Sequence, residues 1–273
     1  MTILFDKGYC SEPFQTLCFN YPGVDAYPQS LFRVEWGPIF HRGRLDGSAK
    51  VLLIGQDPAQ HETIIRRILV GEAGRRIQGF LAKMGITESY IMINAFLYSV
   101  YGSINKKNRH NNILVGYRNQ WIHALLESGN IEAIVSLGKH ADEAWQIWKE
   151  TDEGKNIDIK YVTITHPTHP ESFSRGDKVK LVAATKKMLQ NWNDGLQNLF
   201  PAIKHPDKSI PLVLYGDTFA ENDKVEIPEI DIPAGLPVWM RKNDGWAKRV
   251  GTTYPQKRSN ITLTVPKGVI NID

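Results

Sequence analysis

Four short apolar runs, separated by stretches with helical character, constrain the fold of this 273-residue chain more than any other feature. They occupy residues 51–55, 90–95, 133–138 and 161–165. Short apolar strands joined by helices indicate a parallel sheet that is covered on both faces. The pattern therefore predicts an α/β fold, a three-layer α/β/α arrangement with a central four-stranded parallel sheet.

The chain divides near Pro201. A long helix is predicted over 178–199, and the sequence then changes to extended runs punctuated by proline, at 210–215, 225–232 and 261–265. We predict a main domain over 1–200 and a β-rich C-terminal extension over 201–273, either a small added sheet or an arm packed on the main domain. With 42% hydrophobic residues, the chain can bury a full core.

Cysteine content and hydropathy indicate the compartment. No apolar run reaches the roughly 18 residues of a membrane span, and the N-terminus lacks the pattern of a secretory signal. Cys10 and Cys18 are the only cysteines, too few for a zinc or iron–sulfur site or a disulfide framework. We expect a cytoplasmic protein that is monomeric and does not associate with membranes.

Polar side chains follow three of the four predicted strands. Asp57, Asn94 and His166 each stand where an apolar run ends. Pro58 restricts Asp57 to an extended conformation, so its carboxylate is held in one direction. Singly, these residues fit a turn, a helix cap and a rigid loop. Together, at the carboxyl ends of neighbouring parallel strands, they predict one ligand pocket.

Two basic stretches that contain aromatic residues favour a polyanionic partner. Residues 90–126 include no acidic residue and four basic ones, Lys106, Lys107, Arg109 and Arg118. Residues 241–258 include six basic residues against one acid, Asp244, and contain Trp246 and Tyr254. Neutralising phosphates supplies most non-specific affinity for nucleic acid. The alternative is that both stretches are solvated loops.

The ordered motifs resemble those of the uracil-DNA glycosylase superfamily. They are Gly55-Gln56-Asp57-Pro58, the run 91–95, the run 135–138 and His166-Pro167-Thr168, within residues 50–195. The resemblance implies an enzyme that flips a nucleotide out of DNA and cleaves its N-glycosidic bond. It implies DNA as partner and no metal or cofactor. The iron–sulfur branches of the superfamily use four cysteines, so this chain resembles a different branch.

The resemblance also assigns roles to the strand-end residues. Asp57 would position the attacking water and support the cationic sugar of the transition state. His166 would donate a hydrogen bond to the base oxygen that gains negative charge. Asn94 would select the base through its amide, which offers a donor and an acceptor, and the Gln56 backbone would line another edge.

Further residues are expected to contact DNA. The histidine–proline loop of the family carries a wedge that enters the base stack, and the matching position here is Pro170, with Phe173 nearby. The full set of expected DNA contacts is Lys106, Lys107, Arg109, Lys139, His169, Pro170 and Arg175.

Two departures from the family pattern concern the base. Ala59 stands where the uracil-specific enzymes have a tyrosine that blocks the C5 position, and Leu69 stands where the family stacks a phenylalanine on the base. The open C5 side predicts a C5-modified pyrimidine, such as a hydroxymethylated or glucosylated one, and suggests defence against modified phage DNA. Uracil excision in repair is the alternative, with a side chain from residues 1–50 or from the extension filling the space.

Two other function classes stay open from the sequence. A metal-dependent phosphodiesterase would use Asp57, His61, His166 and His169 as ligands, although a two-metal site usually needs several carboxylates. An inactive DNA-binding module would need the basic stretches and not Asp57.

Overall fold

A computed structural model describes residues 6, 8–127, 129–242, 245–253, 256 and 260–269. Its strands are β1 His41–Gly43, β2 Val51–Gly55, β3 Tyr90–Asn94, β4 Ala133–Leu137, β5 Lys160–Ile164, β6 Ala247–Arg249 and β7 Ile261–Leu263. Its α-helices are α1 Phe14–Phe19, α2 Gln60–Ile65, α3 Glu72–Ala82, α4 Lys106–Arg109, α5 Asn112–Glu127, α6 Lys139–Lys149, α7 Asp152–Lys155, α8 His169–Ser174, α9 Lys178–Leu199 and α10 Trp239–Lys242.

The central sheet confirms the predicted α/β fold. Its strand order is β1-β3-β2-β4-β5, and β2 pairs in parallel with both β3 and β4, while β4 pairs in parallel with β5. A fifth strand, β1, adds to the edge in antiparallel orientation against β3. Its residues, His-Arg-Gly, have no apolar pattern, so this strand was not predicted.

Two apolar layers cover the sheet. Leu52 and Ile54 of β2 belong to one buried cluster with residues of α5 and α6, whereas Val51 and Leu53 belong to a second with residues of α3 and α9. Successive side chains of a strand point to opposite faces. A strand that is apolar at every position therefore serves both layers, which explains why the four strands were recognisable.

The extension packs on the main domain through a third apolar cluster. Ile65 and Val70 of the main domain contact Ile227, Ile232 and Trp246 there. Strands β6 and β7 form a small separate antiparallel sheet. Of the three extended runs predicted in this region, only 261–265 contains a strand. The runs 210–215 and 225–232 have no strand pairing among the described residues, and the boundary near Pro201 stays a prediction.

A buried ionic group also fixes the extension. The Asp231 carboxylate is fully buried and accepts hydrogen bonds from Arg42, Arg44 and the Tyr90 hydroxyl. The Arg42 guanidinium is itself fully buried. Because Arg42 and Tyr90 lie in the central sheet, this contact ties residues 229–232 directly to β1 and β3.

The described part of the chain contains no helix that is long and apolar enough to cross a membrane. Part of the second basic stretch cannot be placed, since Asp244, Tyr254, Lys257 and Arg258 lie outside the described residues.

Candidate active site

The strand order brings the three predicted polar residues to one edge of the sheet. Gly55 is paired in register with Asn94, so Asp57 and Asn94 leave adjacent strands side by side. Leu137 is in register with Ile164, which places His166 at the same edge. One strand, β4, separates β2 from β5, so Asp57 and His166 leave strands that are ~10 Å apart.

Asp57 is held by two hydrogen bonds. Its Oδ2 accepts from the Val100 backbone N–H at 2.8 Å, and its Oδ1 accepts from the Gln56 side-chain amide at 2.7 Å. Burial nevertheless dominates and raises the pKa of Asp57 to about 6, while the two donors and the Arg249 guanidinium act in the opposite direction. A desolvated carboxylate near its pKa at neutral pH is suited to acid–base or electrostatic work.

Glu62 is a second carboxylate beside Asp57, and sequence reasoning missed it. Its Oε2 accepts from the Ala59 backbone N–H at 3.1 Å, which satisfies a free donor at the start of α2. Its charge also raises the pKa of Asp57. A glutamate three residues after a helix start is a recognisable capping pattern, so this position was open to prediction.

His166 is neutral and its donor nitrogen is defined. Burial lowers the pKa of His166 to about 4. The Thr168 backbone N–H donates to Nδ1 at 3.3 Å, and the Thr168 hydroxyl lies 3.1 Å from the same atom. Since a backbone N–H can only donate, Nδ1 is the acceptor and Nε2 carries the proton. The ring therefore presents one N–H donor without a positive charge.

The loop that carries His166 is held from two helices. The Arg76 guanidinium of α3 donates to the Pro167 carbonyl at 2.5 Å and pairs with Glu171 at 2.7 Å. On the other side, Trp192 of α9 donates to the Thr165 carbonyl at 2.8 Å. Sequence reasoning did not identify Arg76, because its partners are about ninety positions away in the chain.

Asn94 is buried, and Gly55 makes room for it. A β-carbon at position 55 would overlap the Asn94 side-chain oxygen, so glycine is required there. Asn94 and Arg118 both line a small cavity of about 10 Å³. Two guanidinium nitrogens of Arg118, Nε and Nη2, have no hydrogen-bond partner among the described residues. Arg118 is 5% exposed, so it is no surface contact for phosphate.

The other predicted base-binding residues lie near the site or in the core. Gln56 holds Asp57 with its side chain, and its carbonyl accepts from the Phe96 N–H at 3.0 Å. Ala59 begins α2, two residues after Asp57. Leu69 is 7% exposed and packs in the cluster shared with α3 and α9. These contacts make Leu69 a core residue, so its role as a stacking platform stays a prediction.

The predicted DNA contacts differ in their availability. The side chains of Lys106, Lys107, Lys139, His169 and Arg175 are exposed. Arg109 instead pairs with Glu143 at 2.6 Å and donates to the Ile104 carbonyl. Pro170 is buried at the second position of α8, and its role as a wedge stays a prediction. Phe173 of the same helix is 57% exposed and packs against His169 with a ring separation of 5.7 Å.

The ligand set of the phosphodiesterase alternative is not assembled. Among the described residues, no group of three or more His, Cys, Asp or Glu side chains is arranged to hold a metal ion. His61 is buried and its ring packs edge-on against Trp246 of the extension, 4.9 Å away. A cleft of about 720 Å³ lies at the opposite end of the strands, near Lys50 and Ser89, which precede β2 and β3.

The comparison with protein families identifies this arrangement. A search of curated proteins gives no match to the chain. The model of the uracil DNA glycosylase superfamily matches residues 42–197, more than half of the chain, and this region spans Asp57, Asn94 and His166. Members of this superfamily are DNA glycosylases. The chain belongs to the uracil DNA glycosylase superfamily.

Proposed function

We propose that the protein is a monofunctional DNA glycosylase that flips out a C5-modified pyrimidine and hydrolyses its N-glycosidic bond. The observation that carries the proposal is the combination of a desolvated carboxylate, Asp57, and a neutral imidazole, His166, which follow two strands separated by β4. The two groups meet the opposite charges that develop on the sugar and on the departing base.

Each group acts through a defined atom. The Asp57 carboxylate keeps its two donors, Val100 N–H and the Gln56 amide, and orients a water toward the anomeric carbon. As the bond breaks, the sugar becomes cationic and the carboxylate stabilises it. The bonding electrons move to the base, where the Nε2–H of His166 donates to the carbonyl oxygen that gains negative charge. The water oxygen bonds to the anomeric carbon, and its proton passes to the Asp57 carboxylate and from there to solvent. The released base anion takes a proton from solvent, and an abasic site is left.

The substrate proposal rests on Ala59. A methyl group in place of a phenol ring leaves the C5 side of the base without its usual barrier, and this favours hydroxymethylated or glucosylated pyrimidines over unmodified uracil. Such bases occur in some phage genomes, so the proposed role is defence against modified phage DNA.

DNA contacts follow from the exposed residues around the site. Lys106, Lys107, Lys139 and Arg175 would neutralise backbone phosphates. Because Pro170 is buried, the wedge role passes in this proposal to Phe173, the exposed aromatic ring of α8. Insertion of an aromatic ring offsets part of the few kcal/mol that base flipping costs.

One experiment tests the reaction class. The protein is incubated with DNA containing uracil, a 5-hydroxymethylated or a glucosylated pyrimidine, with and without EDTA, and the DNA is then treated with alkali. We expect strand breaks only after alkali, unchanged by EDTA and absent with Asp57→Ala. Breaks that form without alkali and disappear with EDTA would show a phosphodiesterase instead. Excision of uracil alone would overturn the argument from Ala59.

A further inference from the structure

The C-terminal extension reaches the candidate active site. Strand β6 packs against α2, the helix that follows Asp57 and Ala59. Trp246, the residue before β6, is buried against His61 of α2. The next exposed arginine, Arg249, donates from Nε to the Gln60 side chain at 3.2 Å. Gln60 is the neighbour of Ala59, so the extension supplies a cation next to the position where the family has a tyrosine.

An aromatic ring from the N-terminal segment lies beside the same arginine. The Arg249 guanidinium is 5.8 Å from the centroid of the Trp36 indole. Trp36 is held in place because Arg66, at the end of α2, donates to its carbonyl at 2.6 Å. Two segments outside the strand–helix core, one from each end of the chain, therefore meet at the start of α2.

The pair has capacity to bind a ligand. Arg249 is exposed, and its hydrogen bond to Gln60 uses Nε, one of five N–H groups of a guanidinium. Its charge also reaches the catalytic centre, since Arg249 lowers the pKa of Asp57 against the larger effect of burial. Glu62 acts on the same carboxyl in the opposite sense.

We propose that Arg249 and Trp36 form the wall of the base pocket that recognises a hydroxyl-bearing substituent on C5 of the pyrimidine. The indole face packs on the substituent, and guanidinium N–H groups donate to its hydroxyl oxygens. This inference rests on the proposed function and adds a specificity element that the matched family region, residues 42–197, does not contain. In this proposal, Arg249 and Trp36 take the side of the pocket that the tyrosine blocks in the uracil-specific enzymes.

Single-turnover excision tests the inference, with enzyme in excess over three DNA duplexes of one sequence. The duplexes carry uracil, 5-hydroxymethylcytosine or its glucosylated form. We expect Arg249→Ala to slow excision of the two hydroxyl-bearing bases by about tenfold or more, the effect of losing a charged hydrogen bond. Uracil excision, if the wild type shows any, should change by less than about threefold. Trp36→Ala should share this selectivity, and a larger loss for the glucosylated base than for the hydroxymethylated one would identify the sugar as the bound group.

The controls separate the alternatives. Lys208→Ala removes an exposed charge at the opposite end of the strands, where the Lys208 N–H bonds to Gly85, and should leave all rates unchanged. Arg249→Lys should keep the pH dependence of the wild type, whereas Arg249→Ala should move the acid limb to higher pH. Equal losses on every base at pH 8.5, where Asp57 is ionised with and without Arg249, would mean that Arg249 does not recognise the C5 substituent, which overturns the inference. A wild-type protein that excises no base overturns the proposed function itself, and the inference with it.

Discussion

Asp57 has to be ionised in an environment that disfavours its charge. Burial raises its pKa to about 6 from 3.8, so at neutral pH the folded state bears the cost of an ionised carboxylate that the unfolded state does not. Active sites commonly hold such destabilised groups. Burial of the ionised carboxylate therefore suits Asp57 for supporting a cationic sugar and also lowers the stability of the folded protein.

Replacing Asp57 with asparagine should separate stability from activity. We expect Asp57→Asn to lose excision and to raise the free energy of unfolding at pH 8 by as much as ~3 kcal/mol. The gain should shrink toward pH 4, because the folded wild-type carboxyl is then protonated as well. Urea unfolding at both pH values measures this. A variant that is less stable than wild type at pH 8 would contradict the assigned pKa direction.

The pH dependence of the reaction should report Asp57 alone. Activity requires the carboxylate, so kcat/KM should fall as the pH drops through about 6. His166, with a pKa lowered to about 4, stays neutral throughout this range and should add no step. A rate profile from pH 4.5 to 9 on a single duplex checks this. A rate that stays constant from pH 9 down to pH 5 would instead show that the pKa of Asp57 is not raised.

Ala59 decides the substrate in this account. Ala59→Tyr should restore the barrier at C5, so excision of a glucosylated or hydroxymethylated base should fall by about a hundredfold, while any uracil excision is retained. Competition between the two bases in one reaction measures the ratio directly. Equal loss on both substrates would show that the tyrosine disturbs α2 and not the C5 side of the base.

At the scale of elements, the sequence predicted those strands whose bounds are set by a local pattern of residues. The strands β2 to β5 begin and end within a residue of their predicted bounds, because each is an apolar run closed by a polar residue or glycine. Strand β1 was not predictable, since none of its three residues is apolar and its pairing partner is the distant strand β3. Its buried Arg42 is neutralised by Asp231, which is also far away in the chain. Likewise, Val100 is one of the two donors to Asp57, and Arg76 is one of the donors to the histidine loop, but no local pattern connects them to these positions.

The histidine–proline loop depends on Arg76 for its position. Arg76→Met keeps the length of the side chain but removes the hydrogen bonds to Pro167 and Glu171. We expect the excision rate to fall about tenfold or more, because a displaced Nε2–H no longer meets the base oxygen. Binding of DNA should change little. Arg75→Met, at the preceding position of α3, is the control. A similar loss of excision rate in this variant would assign the loss to disturbance of the whole helix.

At the scale of the molecule, the extension packs against the main domain through buried apolar and ionic contacts. Asp231 places a carboxylate between Arg42 and Arg44, and Trp246 covers α2 next to the site. These contacts join positions up to 189 residues apart, so the sequence showed an extension without showing where it packs. Residues of the extension therefore lie beside α2, the helix that follows Asp57.

Removing the Asp231 charge should destabilise the whole protein. Asp231→Ala leaves two arginines with no carboxylate at a buried position, and we expect a loss of about 3–5 kcal/mol in the free energy of unfolding. Asp217→Ala breaks an exposed pair with Lys186 and should cost less than about 1 kcal/mol. Urea denaturation compares the two variants. Equal effects would mean that the buried group does not anchor the extension.

The central claim is that Asp57 drives release of an intact C5-modified base. Mass spectrometry of the small molecules released from DNA containing glucosylated hydroxymethylcytosine tests it most directly. We predict the free glucosylated base, in a one-to-one ratio with abasic sites, from the wild type and none from Asp57→Asn. Release of nucleotides in place of free base, or undiminished release by Asp57→Asn, would contradict the account.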